Sequence, residues 1–158
     1  MKNTGTLEVS TPADTDILMT RVFDAPRHLV WRCITEPALM KQWYGPRGHE
    51  MVLCEHDVRV GGAWRNVSRT PSGTNVGFRG IYKEITPTTR LVSTESFDDF
   101  PGDSLVTITL TERGDKTVFS LLASYPSKEV RDIVLASGME HGAAESYDRL
   151  NELVVTLQ

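Results

Sequence analysis

The period of the apolar positions changes three times along the chain. Residues 17–24 alternate, with Ile17, Met19 and Phe23 on one side and Leu18, Thr20 and Val22 on the other, which is the period of a strand. Pro26 follows, placed for the first turn of a helix whose apolar face is Leu29, Val30, Cys33 and Ile34. Thr35 reads as the cap of a second short helix, with Pro37 in its first turn and Leu39, Met40 and Trp43 as its stripe. Gly45-Pro46 ends it. Alternation then returns over 49–55, 63–69, 76–85, 91–97, 105–112 and 117–124, with glycine- and proline-rich turns between. After Ser127, a capping residue, the spacing of Leu135, Met139, Ala143, Ser146, Leu150, Leu153 and Leu157 predicts one long helix over 128–155.

Consecutive strands joined by short turns make an antiparallel meander, not a doubly wound parallel sheet. The predicted class is α+β: a curved seven-stranded antiparallel sheet around a long C-terminal helix, with two short helices after the first strand. Residues 1–14 read as a flexible lead-in and 15–158 as a single domain, the size that 158 residues allow. A chain of this length buries enough surface to fold without a disulfide or metal. Cys33 and Cys54 form no CxxC pair and read as buried thiols in a reducing cytosol, so a cytoplasmic location is expected.

Charge narrows the partners. The net charge is −4, with acids and bases scattered, and offers a phosphate backbone no basic face. No apolar run approaches a bilayer span, so neither nucleic acid nor integral membrane association is expected. A homodimer is compatible with such a domain, though no residue pattern indicates one. The run Cys54, Glu55, His56, Asp57 resembles ligand chemistry, but neighbouring strand residues point to opposite faces. No metal and no cofactor are expected.

Several ordered pieces resemble the Hsp90-ATPase-activator-like branch of the START/Bet v 1 superfamily. They are Arg21-Val22-Phe23-Asp24-Ala25-Pro26, Gln42-Trp43-Tyr44-Gly45-Pro46, Gly61-Gly62-Ala63-Trp64-Arg65, Gly80-Ile81-Tyr82-Lys83-Glu84-Ile85, Gly138-Met139-Glu140-His141-Gly142 and Asp148-Arg149-Leu150. The resemblance implies the helix-grip fold, which agrees with the element order. The eukaryotic co-chaperones of this name carry a further N-terminal domain that this chain has no room for, so a chaperone partner is not expected. Many relatives place a bulky aromatic where this chain has Ala143; a smaller residue there would enlarge any space between helix and sheet.

That space is the candidate site, and its expected occupant is a small apolar or amphipathic molecule. Trp43, Tyr44, Trp64, Phe78, Tyr82, Phe97 and Phe119 are the aromatics that would converge on it, although any one of them suits a core equally well. Met139, Gly142 and Ala143 would line it from the final helix. Gly138 and Gly142 each cost that helix about 1 kcal/mol against alanine, which asks for a compensating reason: room for a ligand, close packing or a bend. Glu95 shares a strand face with Leu91 and Phe97. Facing inward it becomes the candidate catalytic acid or base; the competing expectation is a cross-strand ion pair with Arg65 or Arg79 near solvent. A polyketide-cyclase-like enzyme and a chaperone-type interaction module stand behind simple ligand binding. His49 is placed for a pocket mouth, and His141 for an exposed pair with Glu145.

Overall fold

A computed structural model describes residues 7–99 and 102–158. In chain order the elements are β1 (Glu8–Ser10), β2 (Asp16–Phe23), α1 (Arg27–Thr35), α2 (Pro37–Met40), β3 (Glu50–His56), β4 (Ala63–Arg69), β5 (Asn75–Thr86), β6 (Arg90–Phe97), β7 (Asp103–Arg113), β8 (Lys116–Ser124), α3 (Lys128–Ala136) and α4 (Met139–Thr156). One antiparallel sheet takes all the strands, in the order β1-β2-β8-β7-β6-β5-β4-β3. The α+β helix-grip architecture is therefore present, with two differences.

The sheet has eight strands rather than seven. Residues 8–10, expected within a flexible lead-in, pair with Leu18, Met19 and Thr20 as an edge strand. Three residues are too few for alternation to be read, and the strand exists because β2 offers it an edge. Residues 1–6 of the expected lead-in, and residues 100–101 of the predicted loop, lie outside the described residues.

The final helix is two helices. The Ser127 hydroxyl accepts from the Val130 amide (3.2 Å) and caps α3 as expected. The helix then stops at Ala136, because Gly138 adopts φ +85°, a left-handed conformation that only glycine takes freely. Gly138 is thus the break before α4, not a gap within a continuous helix. Thr35 also differs: its hydroxyl bonds back to the Trp31 carbonyl (2.7 Å), and Glu36 occupies the junction between α1 and α2.

One face of the sheet is covered by the helices. On β2 every second residue is buried, and Ile17 and Phe23 are fully so. With Phe119, Leu110, Leu150, Val154 and Val30 they are the most completely buried large side chains of the core. Arg21 lies on that same buried face. Its guanidinium reaches the Asp148 carboxylate of α4 at 2.9 Å and stands 5.1 Å from the Phe23 ring centre, tying sheet to helix. No described helix is long and apolar enough to cross a membrane.

Candidate functional site

Between α4 and the inner face of the sheet lies a cavity of about 490 Å3. Strand alternation puts its floor residues on one face, and register sets them side by side. Met19 stands opposite Leu121, Ala123 opposite Val106, Ser104 opposite Glu95, and Phe97 opposite Phe78. Met139, Gly142, Ala143, Ser146 and Tyr147 of α4 form the roof. Ile133 and Val134 of α3, with Ser137, Tyr125, Gly102 and Asp99, edge it.

The fourth wall is the segment Trp43 to Pro46, which α4 holds in place. The Gly45 amide donates to the Ser146 hydroxyl (3.0 Å), and Arg149 donates to the carbonyls of Gly45 (2.8 Å) and Gln42 (3.1 Å). The Trp43 indole donates to the Cys33 carbonyl (2.9 Å), and its ring stacks on Tyr147 at 6.0 Å. Two motifs far apart in sequence, Trp43-Tyr44-Gly45-Pro46 and Asp148-Arg149-Leu150, are thus one piece of architecture. Asp148 meets Arg21, Arg149 holds the wall, and Leu150 is fully buried.

Glu95 sets the electrostatics. Its carboxylate makes no hydrogen bond or ion pair among the described residues. Arg65 and Arg79, its expected partners, both bind Asp98 instead, at 2.6 Å each. The cross-strand ion pair expected near solvent therefore belongs to Asp98, and Glu95 faces the cavity. Burial pushes its carboxyl up to about 7. Burial likewise raises Tyr44, Tyr147 and Tyr125, the last to about 12, and the negative charge of Glu95 adds to the shift of all three. Glu95 and the tyrosines that feel its charge thus share a mostly apolar lining.

Of the eleven residues expected to line the site, the structure brings eight together: Trp43, Tyr44, Phe78, Glu95, Phe97, Met139, Gly142 and Ala143. Trp64, Tyr82 and Phe119 are elsewhere. Phe119 is fully buried in the core between Phe23 and Tyr147. Trp64 and Tyr82 enclose His56. The imidazole lies parallel to the Trp64 ring at 5.7 Å, its Nδ1 meets the Tyr82 hydroxyl, and its Nε2 meets Asn66 Oδ1 at 2.8 Å. Because Asn66 Oδ1 only accepts, Nε2 carries the proton and Tyr82 donates to Nδ1. Burial holds this imidazole below its ordinary value, with the Asn66 contact opposing. His56 is thereby spent on structure.

Tyr147, Tyr125 and Ser104 were not anticipated. Tyr147 lies four residues after Ala143, on the same helical face, and that spacing carried the signal. Ser104 follows from pairing with Glu95 once the hairpin register is known, and Tyr125 continues the alternation of Leu121 and Ala123 one residue past the end of β8. His49 is not among the lining residues; its side chain lies beside Gly45, and its Nδ1 is buried without a partner among the described residues. His141 is exposed and stands 3.4 Å from Glu145. Cys33 and Cys54 are buried and unpaired.

The chain matches the family described as Activator of Hsp90 ATPase homolog 1-like protein over residues 24–155. Among solved structures it is similar to a Rhodobacter sphaeroides protein, 29% identical, with 96% of this chain and 99% of that one covered at a TM-score of 0.91. A Chromobacterium violaceum protein is 30% identical over 90% and 98% of the two chains, with a TM-score of 0.77. For a Nitrosomonas europaea protein the values are 26%, 92% and 97%, and 0.83. No curated protein matches in sequence. The match spans both the wall of the cavity and the helix that holds it, and the chain belongs to the Activator of Hsp90 ATPase homolog 1-like family.

Proposed function

We propose that this domain binds a small hydrophobic or amphipathic molecule between α4 and the sheet, in the reducing cytosol that suits its two unpaired thiols. The observation that carries the reading is the cavity itself. About 490 Å3 lies within the range of small-molecule sites, and the lining is mostly apolar with a few polar groups at one end. Ala143, Gly142 and Ala123 keep the space open where larger side chains would close it.

A thermal-shift screen of varied apolar molecules, on the native chain and on Gly142→Trp, tests this. Binding to the folded state alone raises the melting temperature by mass action. A Cβ at Gly142 would meet Pro46 at 3.3 Å, so a tryptophan must turn along the cavity and occupy it. The expected result is a shift in the native chain that the variant loses. Equal shifts in both would move binding to another surface and end the proposal.

A second reading, proton transfer by Glu95, is favoured by its value of about 7, where a general acid or base is most effective. Glu95→Gln should then abolish any turnover found with a bound ligand; unchanged turnover would dismiss it.

A further inference from the structure

We propose that the ligand of this cavity is an amphipathic amine, its ammonium group paired with Glu95 and its apolar body lying among the aromatic walls. This rests on the cavity-binding reading and specifies the chemistry it selects.

The argument is one of missing complement. Among the described residues lining the cavity, two are acids, Glu95 deep within and Asp99 at the edge, and none is lysine, arginine or histidine. The two arginines within sequence reach of Glu95 are held by Asp98. A carboxylate in such a place lacks the partner that buried charges normally have. A ligand ammonium supplies that partner through a charge-assisted hydrogen bond. Tyr44 and Tyr125, aromatic side chains of the lining that feel the charge of Glu95, would add ring attraction to a cation placed there. Asp99 at the edge draws the same sign of ligand inward.

The alternatives fit less well. A ligand carboxylate would meet Glu95 with like charge and find no cation on the lining. A neutral ligand would displace solvent from Glu95 and return nothing to its charged form.

The test uses three probes with one apolar body: phenylbutylamine, phenylbutanol and phenylbutyrate. Calorimetric titration at about pH 8 keeps Glu95 largely ionised. The amine should bind the native protein about tenfold more tightly than the alcohol, and the carboxylate should bind most weakly. In Glu95→Gln the amine should lose its advantage and bind no more tightly than the alcohol, whose own affinity should rise once there is no carboxylate to desolvate. Should the variant fail to fold, the native protein still decides. Near pH 7 about half the Glu95 population is protonated, so amine binding releases about half a proton, read from heats in buffers of different ionisation enthalpy. Alcohol binding should release none.

An alcohol that binds as well as the amine, or an amine that binds without proton release, overturns the inference and leaves the cavity-binding reading standing. If none of the three binds, both fall.

Discussion

Replacing Glu95 with glutamine removes a carboxyl deep in the cavity and should flatten part of the stability–pH profile. Burial carries the carboxyl from 4.5 to about 7. Below pH 4.5 it is protonated in both folded and unfolded chains and makes no difference. Between 4.5 and 7 the unfolded chain loses this proton while the folded one keeps it, so stability falls as pH rises; above 7 the loss is complete. At about 1.36 kcal/mol per unit the full shift corresponds to about 3 kcal/mol. Water reaches the cavity, so about 2 kcal/mol is the expected loss. Urea denaturation at several pH values between 5 and 8, on the native chain and Glu95→Gln, measures it as a change in the stability difference. Tyr44, Tyr125 and Tyr147, the groups that feel its charge, stay neutral throughout, and His56 titrates in both proteins. The carboxylates held low by partners, Asp24, Asp98, Asp132 and Glu152, lose their contribution only as pH falls below this window. Parallel curves, with a difference constant to about 0.5 kcal/mol, would refute the placement of Glu95 in a low-dielectric site.

Three other substitutions probe the frame. Asp148→Ala strands the buried guanidinium of Arg21; it should cost about 2 kcal/mol by urea denaturation, and adding Arg21→Met should recover part of the loss. A double variant less stable than Asp148→Ala alone would contradict this. Gly80→Ala would drive a Cβ into the Thr94 carbonyl and the Trp64 indole, backbone and buried ring that cannot withdraw. A loss above about 3 kcal/mol, or failure to obtain soluble protein, is expected. Tyr82→Phe leaves His56 Nδ1 without its donor and should cost about 1–3 kcal/mol by urea denaturation, while nitrogen NMR still shows the Nε2–H tautomer that Asn66 fixes.

Most of the element order was legible because burial is one-sided and its period differs between helix and strand. The break at Gly138 was not. Leu135 and Met139 keep helical spacing across it, so the pattern continues where the backbone turns, and only φ reveals the change. Alternation also puts Glu95 on the strand face of Leu91 and Phe97, and Glu95 and Phe97 both line the cavity. What alternation cannot give is distance along the sheet. Phe119 shares the inner face with Ala123, yet it stands opposite Arg21, next to Phe23, at the filled end. Trp64 and Tyr82 likewise belong to the strands around His56. Sequence spacing identifies a face, while the register among non-adjacent strands decides which end of that face is open.

The open end follows from size, and its consequence is energetic. At the filled end Phe23, Phe119, Leu110 and Leu150 meet with nothing left exposed. At the other, the small residues Ala123, Ser104 and Ala143 line the space, and the helix breaks at Gly138, with Ile133 and Val134 of α3 at its edge. A dry void of about 490 Å3 would cost on the order of 10 kcal/mol at the rate found for apolar core cavities. That is comparable to the whole stability of a domain, so the space is not dry in the free protein. The Glu95 carboxyl and the hydroxyls on the same lining are where water finds hydrogen-bond partners. An apolar body entering displaces that water and deprives Glu95 of solvation. A ligand that brings its own ammonium restores the lost partner, whereas one without it must bind against the desolvation of the carboxylate or wait for it to be protonated.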